Sequence, residues 1–115
     1  MHNRLMRTLL KIGIVASVVL ASAATFGADA KANYDKHCAK CHGPDGKGQT
    51  RMGKQAGAKD YTDPKVQAEL DDAKAITSIK EGQKVNGKEA MKPFAGTLSD
   101  DEIKELVAHI RKFKK

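Results

Sequence analysis

The sequence predicts an all-α domain with long loops, and three observations carry that prediction. Ser99-Asp100-Asp101-Glu102 is a capping box, and Ile103, Leu106, Val107, Ile110 and Phe113 follow it at helical spacing. Asp63-Pro64 and Asp71-Asp72 each offer an N-cap ahead of a helical run. No alternating run rich in valine or isoleucine is long enough to make a strand.

Taken from the N-terminus, residues 1–30 read as a secretory signal peptide and 31–115 as the folded domain. Arg4, Arg7 and Lys11 make a basic start, Ile12 to Ala28 carries no charge, and Ala28-Asp29-Ala30 offers small residues at −3 and −1. The competing reading is a retained anchor. The uncharged run of 17 residues is at the short limit for spanning, and rich in alanine, serine and glycine rather than leucine. Cleavage after Ala32 also fits the small-residue rule. Export to the periplasm or beyond follows, with no stable membrane insertion after cleavage.

The next helix is expected from about Asn33 to Cys41, with Tyr34 on its buried side. A glycine-rich loop, Gly43 to Gly57, separates it from a short helix that runs from Pro64 through Leu70. Asp71 or Asp72 caps another helix, which carries Ile76 and Ile79 and stops at Gly82. A second loop, Gly82 to Gly96, leads to the terminal helix. Arg111, Lys112, Lys114 and Lys115 gather at its far end, where positive charge suits the helix dipole.

Composition narrows the function classes. The chain has 115 residues, with 21 lysine and arginine against 14 aspartate and glutamate, a formal charge of +7. The expected mature part keeps 85 residues and a charge of +5. With no tryptophan and 4% aromatic residues there is little for base stacking. The charge therefore argues only weakly for nucleic acid, and transient docking to an acidic protein partner explains it as well. Two cysteines are too few for a disulfide scaffold or a four-thiolate zinc site. Sixteen larger apolar or aromatic side chains in the mature part make a thin core, so a bound group is expected to fill the middle.

The chemistry sits in Cys38-Ala39-Lys40-Cys41-His42. In Cys-x-x-Cys-His the two thiols can add to the vinyl groups of haem, and the adjacent histidine lies under the iron. Residues three apart share one helix face, so both sulfurs reach one porphyrin edge. Shuffling this chain would reproduce the pattern in roughly 1 of 1,500 trials, which makes coincidence a poor account.

With these residues in view, the mature chain resembles a small monohaem class I cytochrome c over nearly all its length. Cys38 to Pro44 resembles the haem-binding segment of that family. Met91-Lys92-Pro93-Phe94 resembles the loop bearing its methionine ligand, although Lys92 here separates Met91 from Pro93. Ser99 to Phe113 resembles the terminal helix, which in that family crosses the first. The resemblance implies a cytochrome c fold, about four short helices with long loops around one covalently attached haem c. It implies Cys38 and Cys41 as attachment residues, and His42 and Met91 as iron ligands. It also implies that the Pro44 carbonyl accepts the His42 Nδ1–H.

The remaining candidates have plainer readings. His2 leaves with the signal peptide, His37 is expected at the surface, and His109 is expected to be solvated on the terminal helix. Met52, among Arg51, Lys54 and glycines, is expected in a distant loop. Met91 could also be an ordinary core filler, the usual role of methionine. Gly43 to Gly48 is a turn and not a phosphate loop, because no strand precedes it. The function expected is a monomeric, non-enzymatic electron carrier of a respiratory or related chain. Its rivals are a haem enzyme of peroxidase type or a gas-binding sensor, each with an open sixth position. A thiol–disulfide oxidoreductase is a further rival, lacking a βαβ setting and any role for His42.

Overall fold

The computed structural model describes residues 26–115. His2, Arg4, Arg7, Lys11 and most of the uncharged run lie outside the described residues. The expected junction between Ala30 and Lys31 falls inside the first helix, where Ala30 is buried.

The described residues form, in order, α1 (Phe26–His37), α2 (Ala39–His42), α3 (Arg51–Ala56), α4 (Pro64–Glu69), α5 (Asp72–Glu81), β1 (Gln83–Val85), β2 (Lys88–Met91) and α6 (Asp100–Arg111). The predominantly helical expectation stands, but six helices replace about four. The expected absence of strands is also corrected. β1 and β2 pair antiparallel across Asn86-Gly87, where both residues have positive φ, 52° and 77°. An Asn-Gly turn of this hand matches the strand twist, so two turn residues create a hairpin without any valine-rich alternation.

Each N-cap forms as its chemistry dictates. Asp63 accepts from the Lys65 amide at 2.9 Å with Pro64 at the first helical position, and Asp71, rather than Asp72, caps α5 through the Lys74 amide at 2.9 Å. At α6 the capping box closes in both directions. The Glu102 amide donates to Ser99 Oγ at 3.1 Å and the Ser99 amide to Glu102 Oε1 at 3.0 Å. Asn33 on α1 donates its side-chain amide to Glu102 Oε2 at 3.0 Å, so one carboxylate caps α6 and holds α1 beside it.

α6 packs on α1 and α5, in agreement with the crossing implied by the resemblance. Tyr34, Ile103 and Leu106 are fully buried, and Ile79, Phe94, Leu98, Val107 and Ile110 complete the core. Burial of each such aliphatic side chain contributes about 1.5–3 kcal/mol. Around this core lie half-buried side chains that include Cys38, Tyr61, Leu70, Ile76 and Met91. The cysteine motif and the methionine loop thus border one apolar interior.

Candidate functional site

The break between α1 and α2 shapes the cysteine motif. Cys38 departs from ideal helix at φ −115°, and its carbonyl accepts from the Cys41 amide at 3.2 Å and the His42 amide at 2.9 Å. That single turn keeps Cys38 and Cys41 one helical repeat apart, both half-buried and both free thiols. Gly43 then ends the turn at φ 79° and ψ 152°.

The carbonyls that leave the motif are each taken by a specific donor. Thr50 Oγ1 donates to the Cys41 carbonyl at 2.7 Å, the Gly48 amide to the His42 carbonyl at 2.8 Å, and the Tyr34 hydroxyl to the Gly43 carbonyl at 2.6 Å. Thr50 also caps α3, accepting from the Gly53 amide at 2.9 Å. A Cβ on Gly53 would overlap the Cys41 carbonyl, so only glycine lets α3 lie this close. The segment expected to be a loop around Met52 is therefore a helix that buttresses the motif. The signal was Thr50, a good N-cap three residues ahead of Gly53. Met52 itself is exposed at 43% and takes no part.

His42 is half-buried, and its ring lies 5.5 Å from that of Tyr61, inclined at 36°. Burial lowers its pKa below the ordinary histidine value. The ring is consequently neutral at pH 7 and retains a lone pair for a metal. Its Nδ1 is buried with no hydrogen-bond partner, which corrects the expectation that the Pro44 carbonyl would take that proton. An unpaired buried nitrogen is costly, and fits a ring whose surroundings a further group completes.

Burial, with Cys41 as a smaller contributor, pushes the Cys38 thiol up to about 11. Cys38 is therefore a protonated thiol at neutral pH. Redox-active dithiols have the opposite shift. Burial, and then Cys38, raises the Tyr61 phenol as well, so Tyr61, Cys38 and His42 form one low-polarity cluster.

Met91 ends β2. The pairing puts Lys84 opposite Glu89 and Gln83 opposite Met91, so one extra residue, Ala90, bulges from β2. Past that bulge the exposed Lys88 and Glu89 give way to half-buried Ala90 and Met91. Gly82, at φ 76°, lets the end of α5 pass the Met91–Pro93 backbone, where a Cβ would meet Pro93 N at 2.8 Å. The Phe94 amide donates to the Ile79 carbonyl at 2.9 Å and the Ala95 amide to the Lys80 carbonyl at 3.2 Å. Lys92 turns outward over the Phe94 ring, its Nζ 5.3 Å from the centroid.

Two histidine expectations are refined. His37 is half-buried edge-on to Phe94, 5.7 Å between centroids. His109 is half-buried between Tyr34 and Phe113, at 5.1 and 5.3 Å. Both serve as packing partners. Among the described residues, no cluster of three or more His, Cys, Asp or Glu side chains could hold a bare ion. An ion bound by His42 needs its other ligands from elsewhere, and a porphyrin brings four nitrogens. Two thiols beside a half-buried imidazole fit such a group, which Cys38, Cys41 and His42 would hold.

Comparison with known proteins shows the family. The family model described as cytochrome c oxidase, cbb3-type, subunit III matches residues 26–110. A solved structure described as KustC0563 c-type cytochrome is 36% identical, covers 76% of this chain and 99% of its own, and superposes with a TM-score of 0.65. A tyrosine-to-phenylalanine mutant of Kustc0563 is 37% identical over 75% of this chain and 99% of its own, at a TM-score of 0.66. No curated protein matches.

Proposed function

The chain belongs to the small class I c-type cytochromes, and from that premise we propose that it is a soluble electron carrier with one covalently attached haem c. Membership of the family supports haem-based electron transfer. The observation that carries the finer reading is the turn that holds Cys38, Cys41 and a half-buried His42 together, with Cys38 packed against the same core as Met91.

In this reading Cys38 and Cys41 would hold the haem through thioether links, and His42 and Met91 would ligate its iron. When bound, haem supplies a one-electron ferric–ferrous couple, and a thioether ligand raises its potential. The protein's own residues keep the site still. Thr50, Gly48 and Tyr34 fix three successive carbonyls, so the His42 backbone has little freedom to shift. Gly82 and the two amide bonds to α5 fix the Met91 loop. A site held on both sides rearranges little on a change of charge, which favours rapid electron transfer over catalysis at iron.

The partner is an acidic redox protein, met by transient docking of the monomer. Lys84, Lys88 and Lys92 are exposed on and beside the hairpin that carries Met91, which supports that choice. Export fits a c-type cytochrome, and among the described residues no helix is long and apolar enough to cross a membrane. A visible spectrum taken with a redox titration and carbon monoxide exposure tests the reading. The expected result is a low-spin haem with a reversible one-electron couple that stays closed to carbon monoxide. A ferrous form that binds carbon monoxide readily at neutral pH would give precedence to the open-site enzyme or sensor.

A further inference from the structure

Gln67 is buried, at 4% exposure, and belongs to a hydrogen-bond network with Tyr61, Ile110 and Arg111. Its Nε2 donates one proton to the Tyr61 carbonyl at 2.7 Å and the other to the Ile110 carbonyl at 2.9 Å. Its Oε1 accepts from Arg111 at 3.3 Å. Both amide protons and the oxygen are thus engaged, an arrangement that no other side chain of this size reproduces. Arg111 donates further to the Gln67 carbonyl at 2.6 Å, to the Leu70 carbonyl, and to Asp72 at 2.9 Å.

The bond to the Tyr61 carbonyl has a consequence at the site. Tyr61 lies between α3 and α4, outside regular structure, and its ring covers one side of His42 at 5.5 Å. The Tyr61 amide donates to the Gly46 carbonyl at 2.8 Å and the Tyr61 carbonyl accepts from Gln67. These two bonds hold Tyr61 at its amide and its carbonyl, and through Gln67, which also donates to Ile110 43 residues further on, the second links it to the C-terminal helix.

We propose that Gln67 is a positioning residue for the haem site, which holds the Tyr61 ring against His42 and so keeps water from that side of the imidazole. The inference rests on the reading of His42 as the axial ligand. Release of Tyr61 admits solvent beside His42, and a wetter site favours the more highly charged ferric iron, so the reduction potential falls.

Two variants of the holoprotein test this. Gln67→Met keeps the volume and loses every hydrogen bond, while Gln67→Glu keeps an acceptor toward Arg111 and loses both donors. A downward shift of the potential is expected in both. Ser99→Ala, which weakens the distant α6 cap, is the control for stability loss alone and should leave the potential unchanged. In a Tyr61→Leu background the Gln67 substitutions should add no further shift, because the ring they position is already gone. A potential in both Gln67 variants equal to that of the unmutated protein overturns the proposal, as does a full additional shift in the Tyr61→Leu background. NMR carries the same test without reference to haem. The cross-peak between the His42 and Tyr61 rings should weaken in Gln67→Met, and its persistence at full strength overturns the positioning role whether or not the protein carries haem.

Discussion

The Tyr34 hydroxyl donates to the Gly43 carbonyl at 2.6 Å, a buried bond between α1 and the residue that follows His42. Tyr34 is fully buried and also touches the rings of His109 and Phe113, each at 5.1 Å between centroids. One side chain therefore joins the first helix, the last helix and the exit of the cysteine motif. Tyr34→Phe keeps the ring and removes the donor, which leaves the Gly43 carbonyl with only the Gly46 amide at 3.2 Å. A loss of about 1 kcal/mol in stability is expected, read by denaturant unfolding. An unchanged midpoint would mean that the bond contributes nothing.

Attachment through the thiols makes a sharper prediction. The haem should remain with the protein in acid acetone, and Cys38→Ala or Cys41→Ala should sharply lower the yield of holoprotein. Extraction of haem from the unmutated protein would remove covalent attachment from the reading. The Cys38 thiol, pushed up to about 11, should also react slowly with alkylating reagents at neutral pH in any haem-free fraction.

Much of this was legible in the sequence because the signals were local. Ser99 with Glu102, Asp63 with Pro64, and the stripe from Ile103 to Ile110 specify helices by nearest-neighbour chemistry, and all three form. Cys38, Cys41 and His42 declare their chemistry through spacing alone. The hairpin was missed because Asn86-Gly87 is a turn signal without flanking alternation, and its strands are too exposed to need any. α3 was missed because Gly53 lies inside it. A glycine there opposes helix propensity but is required by the approach to Cys41. The link from Gln67 to Tyr61 and Ile110 joins three segments far apart in sequence, and no local pattern reveals it.

Acid should loosen the contact of α1 with α6 through Glu102. Hydrogen bonds from the Ser99 backbone, then Asn33 and the Ser99 hydroxyl, hold this carboxyl below its ordinary pKa. A depressed folded-state value means that the stabilisation is present in full above the unfolded pKa. It is lost as pH falls through the folded one. Glu102→Gln should therefore reduce stability at pH 7 and flatten the acid limb below about pH 4. Thermal unfolding across pH checks this, and an acid limb of unchanged slope would count against the role of Glu102.

Docking should be electrostatic in its rate. Lys84 and Lys88 are exposed on the hairpin and Lys92 lies just beyond it, while Lys47 is half-buried in the loop after the cysteine motif. Lys84→Glu, Lys88→Glu and Lys92→Glu should each slow electron transfer to an acidic partner several-fold at low ionic strength, with the difference shrinking as salt rises. Stopped-flow rates over a salt series measure it. A bimolecular rate independent of ionic strength would exclude steering by charge.

The sixth ligand gives the prediction that separates carrier from catalyst. Met91 sits past the Ala90 bulge, half-buried against the core, in a loop pinned to α5 by two amide bonds. A thioether is a neutral, weak ligand that favours ferrous iron. Met91→Ala should lower the reduction potential, let carbon monoxide bind and erase the sulfur-to-iron charge-transfer absorption of the ferric form. Met52→Ala should do none of these, since that side chain points to solvent from α3. A band that survives Met91→Ala would show that another group holds the iron, and the fixed loop would then serve the fold alone.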